Sequence, residues 1–80
     1  MRLYTLDGKC NISGPRIREA RVKAGMSQEE LAVRMQLDGL QMGQMAVSRI
    51  ETGKRPVPDF ELPLLAAALG VTTDWLLGKE

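Results

Sequence analysis

Apolar residues recur at intervals of three and four along most of the chain, the spacing that places side chains on one face of an α-helix. The pattern is clearest towards the C-terminus, at Leu62, Leu65, Ala66 and Leu69. Similar intervals, interrupted by glycine, proline and short polar runs, predict five short helices joined by brief loops. An all-α bundle of five helices is therefore the expected fold.

Residues suited to helix ends place the first two helices. Pro15 suits a first helical position and Gly25 a position just beyond a C-terminus, so the first helix is predicted between them. The second begins at the capping box Ser27-Gln28-Glu29-Glu30 and ends near Asp38-Gly39. The predicted buried positions are Ile17, Ala20 and Ala24 in the first helix and Leu31, Ala32 and Met35 in the second.

The three later helices are bounded in the same way. Residues 40–43 form a turn, after which a third helix is predicted from Gln44 to Thr52, with Gly53 as its cap. Asp59 is predicted to cap the fourth helix, which ends at Gly70 and tolerates Pro63 in its first turn. A short fifth helix is predicted to follow, capped by Thr72 and running through Leu77.

Residues 1–13 differ from this helical pattern. Leu3 to Leu6 lead into Asp7-Gly8, a dipeptide that favours a tight hairpin turn. Because a lone two-stranded ribbon is marginal in water, we favour a flexible or loosely packed arm over the hairpin. We therefore divide the chain into an arm or short hairpin over 1–13 and one domain over 14–80.

Composition excludes several classes of function. The chain has one cysteine and no histidine, so we expect no disulfide within the chain, no metal site and no cofactor. A general base, a paired carboxylate site and a glycine-rich phosphate loop are also missing, which argues against an enzyme and against a small-molecule substrate. No apolar run approaches the roughly 20 residues of a membrane span, and no signal peptide is evident, so a cytoplasmic protein is expected.

Charge is distributed unevenly along the chain. The net charge is only +1, but residues 15–55 hold eight Lys/Arg against five Asp/Glu, while residues 56–80 hold one against four. The segment with the second and third helices is thus the basic one. In a helix-turn-helix, the second of two such helices enters the major groove of DNA and presents its outer side chains to base edges. Here the outer face would carry Gln44, Ser48 and Arg49.

Three segments resemble the lambdoid phage repressor and Cro (XRE-type) family of helix-turn-helix transcriptional regulators. They are Ser27-Gln28-Glu29-Glu30-Leu31-Ala32, Ser48-Arg49-Ile50-Glu51-Thr52-Gly53-Lys54-Arg55 and Leu69-Gly70-Val71-Thr72-Thr73-Asp74-Trp75-Leu76-Leu77. The resemblance spans residues 15–78. It implies a lambda-repressor-like domain, although the turn between helices 2 and 3 is about five residues longer than in the prototype repressors, with Gln36 to Leu40 as the extra residues.

The resemblance also implies roles for particular residues. Gln28 would touch phosphate and brace the third helix, and Arg21 and Glu51 would form an ion pair between the first and third helices. Gln44, Met45 and Arg49 fall at base-reading positions. Their chemistry agrees, because glutamine pairs with adenine, arginine with guanine, and methionine contacts the thymine methyl group.

Other side chains are candidates for the DNA backbone or for a second subunit. Lys54 and Arg55 follow the third helix, and Arg16 and Arg18 begin the first; each would contact phosphate or remain a solvated charge. Trp75 and Leu77 would either complete the core or form a dimer contact, for which the family often uses this helix.

Two functions follow from these observations. The first is a dimeric repressor that binds a palindromic site in double-stranded DNA. The second is an antitoxin or other interaction module, whose exposed helix or arm binds a toxin while its DNA surface autoregulates its operon. Met42 and Met45, as side chains available to a partner, make the second conceivable. A stoichiometric protein partner would support it, and a lone dimer that binds DNA tightly would argue against it.

Overall fold

The five predicted helices are present in the computed structural model, which describes residues 4–80. They are α1 (Gly14–Lys23), α2 (Gln28–Leu37), α3 (Gln44–Glu51), α4 (Leu62–Leu69) and α5 (Thr73–Leu76). The all-α prediction is thus confirmed for the described residues. Each of these helices is too short or too polar to cross a membrane.

A single apolar core lies between the helices. α3 packs against α1 and α2, and α4 closes the bundle against α1, α2 and α5. The side chains that are almost wholly removed from solvent are Ile17, Leu31, Met35, Met42, Val47, Ile50, Leu65 and Leu76. Each aliphatic side chain of this size contributes about 1.5–3 kcal/mol when fully buried.

Helix α2 begins and ends where its sequence predicts. The Ser27 hydroxyl accepts a hydrogen bond from the amide of Glu30 (3.0 Å), and the Glu30 carboxylate accepts one from the amide of Ser27 (2.9 Å). These reciprocal bonds satisfy amides at the helix start that have no partner within the helix. Asp38 caps the other end.

Three boundary or burial predictions are wrong. Asp59 does not cap α4: residues 59–61 form a turn, in which the Glu61 amide donates to the Pro58 carbonyl (3.0 Å), and α4 begins at Leu62 after Glu61. Ala24 is exposed, because α1 ends at Lys23 and the chain turns away from the core. Met42, expected to be available to a partner, is only 2% exposed.

The longer turn between α2 and α3 is an ordered part of the core. Met42 enters the core from this turn, and the amide of Leu40 donates to the carbonyl of Met35 (3.0 Å). The Gln36 side-chain amide donates to the carbonyl of Met42 (2.8 Å). Together these contacts fix the position from which α3 starts, so the added residues do not displace the helix from its predicted first residue, Gln44.

The described residues of the N-terminal segment form a tight turn that lies against α3. Leu6 and Lys9 exchange two backbone hydrogen bonds (2.8 and 3.0 Å) around Asp7-Gly8. The positive φ values of Asp7 (52°) and Gly8 (78°) are those a type I′ hairpin turn requires. Leu3, assigned to the same segment, lies outside the described residues. The domain boundary at residue 13 stays a prediction.

Candidate nucleic-acid interface

One face of α3 is turned to solvent and the opposite face is packed in the core. Val47 and Ile50 are each 1% exposed, as their spacing predicts. Gln44, Met45 and Arg49 lie on the outer side and are exposed, and Ser48 is half-buried between the two faces. The helix thus presents an amide, a thioether and a guanidinium together, a set that can donate, accept and make apolar contact with base edges.

The orientation of α3 is fixed from beneath by an ion pair with α1. The Arg21 guanidinium donates through Nε to Glu51 Oε2 (2.6 Å) and through Nη2 to Glu51 Oε1 (3.0 Å). Its third nitrogen, Nη1, donates to the carbonyl of Met26 (2.8 Å), just before α2. The side chains are 11% and 2% exposed, and hydrogen bonding to Glu51 raises the pKa of Arg21. Such a bidentate ion pair fixes the orientation of α3 relative to α1.

Gln28 extends this pair to the outer face of α3. Its side-chain nitrogen donates to Glu51 Oε1 (3.1 Å), and its oxygen accepts from the side-chain nitrogen of Gln44 (2.6 Å). Arg21, Glu51, Gln28 and Gln44 therefore form one continuous chain of hydrogen bonds, which we call the bracing network. It runs from the interior of the bundle to the first residue of α3.

The bracing network leaves Gln44 able to bind a base. A side-chain amide has two N–H donors and one acceptor oxygen. One donor is used by Gln28, so the second donor and the oxygen remain on an exposed side chain. Because recognition of adenine by glutamine needs one donor and one acceptor, the contact with Gln28 is compatible with it and limits the directions in which Gln44 can point.

The basic side chains predicted to contact phosphate have different surroundings. Lys54 and Arg18 are exposed. Arg55 donates through Nη1 and Nη2 to the two carboxylate oxygens of Glu61 (2.8 and 2.9 Å), and this contact raises the pKa of Arg55. Arg16 lies over the ring of Trp75, with its guanidinium carbon 4.7 Å from the ring centre. Arg55 and Arg16 are thus held by intramolecular contacts that their sequence positions did not indicate.

The two predicted dimer-contact residues are half-buried. Leu76 between them is fully buried and completes the core from α5, whereas Trp75 and Leu77 each retain partial exposure. The guanidinium of Arg16 lies over one face of the Trp75 ring. Trp75 and Leu77 therefore both lie at the surface of α5 and its C-terminal end.

The structure adds residues that sequence reasoning missed. Lys9, Cys10 and Asn11 supply hydrogen-bond donors to the C-terminal end of α3 and the loop after it. Glu61 binds Arg55 and is itself only 5% exposed. The one available signal was the type of residue, since an asparagine next to a predicted helix start and an acid after a proline loop both favour local polar contacts.

A model of the helix-turn-helix family matches residues 17–76 of this chain. The match includes α1 from Ile17 onwards, α2, the long turn, α3, α4 and α5. It therefore covers the whole bracing network and the exposed face of α3.

Proposed function

Since the chain belongs to the XRE/Cro-type helix-turn-helix family of DNA-binding transcription regulators, we propose that it is a repressor that binds a palindromic operator as a homodimer. One observation carries this proposal: the exposed face of α3 is held by the bracing network, which starts from the buried Arg21–Glu51 ion pair. A helix that reads bases binds more tightly if it is rigid beforehand, because conformational freedom that is lost on binding lowers the affinity.

In this proposal α3 is the recognition helix and lies in the major groove. Arg49 pairs with guanine through its guanidinium, and Gln44 pairs with adenine through its free donor and oxygen. Met45 packs on a thymine methyl group, and the hydroxyl of Ser48 contacts a base from its half-buried position. The supporting observations are the exposure of the first three side chains and the common face that they share.

Backbone contacts fix the protein on the duplex without reading sequence. Gln28 and Lys54 are the leading candidates, because one lies in the bracing network beside Gln44 and the other follows α3 with an exposed ammonium. Arg18 is equally exposed. Arg16 and Arg55 would contribute charge near phosphate while retaining their contacts with Trp75 and Glu61.

A homodimer would present two recognition helices about 34 Å apart, one turn of the DNA helix, so that each reads half of the palindrome. Trp75 and Leu77 are proposed as the contact, since both are apolar and partly exposed at the end of α5. By occupying such a site, the dimer would exclude RNA polymerase.

Selection of duplexes from a random pool tests this proposal. We expect a palindromic sequence to be enriched and bound with an affinity that falls as salt rises, since cations released from phosphates drive part of the binding. Enrichment of no sequence, at salt concentrations where a specific complex should persist, would overturn it.

A second candidate function is supported by the exposed apolar side chains of the arm. Tyr4, Leu6 and Ile12 are 95%, 64% and 56% exposed. Apolar side chains that are exposed together favour a protein partner, so an antitoxin that binds a toxin through its arm and represses its own operon is the alternative. A protein partner that binds at one-to-one stoichiometry and is lost on Tyr4→Ser or Leu6→Ser would support this candidate.

A further inference from the structure

The end of α3 and the loop after it accept hydrogen bonds from the N-terminal arm. The helix itself ends in a glycine cap, in which the amides of Gly53 and Lys54 donate to the carbonyls of Ile50 (3.1 Å) and Arg49 (2.8 Å). The Asn11 side chain donates to the carbonyl of Ile50 (3.0 Å), and the amide of Cys10 donates to the carbonyl of Gly53 (2.8 Å). The Lys9 ammonium donates to the carbonyl of Thr52 (3.2 Å). A segment about 40 residues away in sequence thus adds donors beside the glycine cap of α3.

Asn11 is the centre of these contacts because its amide binds three elements. Besides Ile50, its nitrogen donates to the carbonyl of Arg55 (2.7 Å), at the far side of the loop after α3. Its oxygen accepts from the amide of Gly14 (2.8 Å), the first residue of α1. The side chain therefore joins the start of α1, the end of α3 and the end of the 52–55 loop.

The surrounding backbone is packed too closely to tolerate a different arrangement. A Cβ atom added to Gly14 would lie 2.3 Å from the carbonyl oxygen of Ile50. One added to Gly53, whose φ is +77°, would lie 2.5 Å from a carbon of the Lys9 side chain. Gly14 needs glycine because α1 approaches the backbone of α3 directly, and Gly53 needs glycine because of its positive φ.

Apolar packing contributes little to this attachment. Leu6 and Ile12 are mostly exposed, and they line an open pocket of about 300 Å³ between the arm and the end of α3. The arm is thus held mainly by its polar contacts, of which Asn11 makes three.

We propose that Asn11 is a positioning residue for DNA binding, which acts by fixing the loop that carries Lys54. Its two donor bonds hold the residues on either side of this loop, and the amide of Lys54 in turn donates to the carbonyl of Arg49 (2.8 Å). The backbone from which the exposed side chain of Lys54 extends is thereby fixed relative to α3. The inference rests on the proposed DNA binding.

Asn11→Asp tests the inference with almost no change in shape. The carboxylate retains the acceptor for the Gly14 amide but replaces the donor nitrogen with an oxygen, which faces the carbonyls of Ile50 and Arg55. On the duplex selected by the wild-type chain, we expect Kd to rise about tenfold and the salt dependence to decrease by about one phosphate contact. Thr5→Ala, an exposed substitution in the same arm, is the matched control and should leave both unchanged.

A double-mutant cycle with Lys54→Ala distinguishes positioning from a general effect on stability. All variants are compared at a temperature where circular dichroism shows them folded. If Asn11 acts through this loop, Lys54→Ala should weaken binding less in the Asn11→Asp chain than in the wild type, since coupled residues are not additive. Asn11→Ala, which adds no charge, provides the same comparison if Asn11→Asp does not fold.

Amide exchange separates failure of this inference from failure of the proposed function. Faster exchange of the Lys54 amide in the Asn11 variants than in Thr5→Ala shows that the loop has been released, even if the wild type binds no duplex. If the wild type binds and the Asn11 variants match its Kd and salt dependence, or if the Lys54 effect is fully additive, the inference is wrong.

Discussion

At the scale of single residues, Glu51 connects stability with the proposed recognition of DNA. It belongs to α3, yet its carboxylate lies beneath the outer face and accepts from both Arg21 and Gln28. Every buried side-chain nitrogen and oxygen in residues 4–80 has a hydrogen-bond partner. A buried carboxylate is tolerated only while these donors remain, because an unpaired charge in the interior is costly.

Removal of Arg21 should therefore lower the free energy of unfolding by more than the lost contact area alone predicts. Arg21→Ala leaves the Glu51 carboxylate buried with Gln28 as its remaining side-chain donor, and we expect the free energy of unfolding to fall by about 3–5 kcal/mol. Urea denaturation measures this change. Arg18→Ala, in the same helix but exposed, is the control and should change stability by less than about 0.5 kcal/mol. Equal effects of the two substitutions would contradict a buried network.

Residue-scale features were predictable from the sequence only where they depend on local pattern or family position. The positions of Arg21 and Glu51 in the family implied an ion pair, and the structure contains one. The hydrogen bonds of Asn11, and the ion pair between Arg55 and Glu61, depend on how the loops fold back. Residue spacing does not encode this. Met42 illustrates the same limit, since a methionine in a turn gives no sign of whether it faces the core.

At the scale of elements, α2 shows how a helix start makes stability depend on pH. The Ser27 amide donates to the Glu30 carboxylate, and hydrogen bonding to Ser27 lowers the pKa of Glu30. A carboxyl group with a lower pKa in the folded chain than in the unfolded one adds stability above the unfolded value, about 4.3 for glutamate. That stability is lost as the pH falls through the lower folded pKa.

Glu30→Gln should remove this part of the acid dependence. Glutamine can also complete a capping box but does not titrate, so wild type and variant should become more alike in stability as the pH falls below about 4. Urea midpoints at pH 6 and pH 3, compared for both chains, measure the change. Glu29→Gln, at a neighbouring residue that makes neither of the two reciprocal capping bonds, serves as the control. A difference between wild type and Glu30→Gln that does not vary with pH would contradict this account.

Two methionines close to the long turn before α3 should contribute differently to the stability of the fold. Met42 is 2% exposed and Met45 is 61% exposed. We expect Met42→Ala to lower the free energy of unfolding by about 2–5 kcal/mol, because a cavity replaces a buried side chain. Met45→Ala should be within about 0.5 kcal/mol of the wild type. Thermal or urea denaturation of the two variants measures these changes. Similar stabilities for the two variants would mean that this turn is not part of the core.

The element boundaries show why local signals succeed in some places and fail in others. The capping box of α2 and the buried spacing of α3 act over one or two turns, so the sequence indicated both. The start of α4 is different, because the buried carboxylate of Glu61 binds the partly exposed guanidinium of Arg55 across the proline loop. Asp59 has the better capping side chain, but this longer-range contact and the preceding turn determine where the helix begins.

At the scale of the whole molecule, the basic segment is also the segment that carries α3. Residues 15–55 have a net charge of +3 and residues 56–80 one of −3, from eight Lys/Arg against five Asp/Glu and one against four. Such a distribution favours approach of the basic segment to a polyanion while the total charge stays near zero. The overall fold followed from helix periodicity, whereas attachment of the arm required contacts across about 40 residues that periodicity cannot show.

The central claim is that α3 reads bases through its exposed face while the loop beyond it contacts phosphate. Binding of Arg49→Ala and Lys54→Ala to the selected duplex, and to duplexes altered at one base pair at a time, tests this most directly. Arg49→Ala should lose about 1–3 kcal/mol and its preference at one base pair, whereas Lys54→Ala should weaken binding to all sequences alike. If Arg49→Ala keeps both its affinity and its preference, then this face of α3 does not read the sequence.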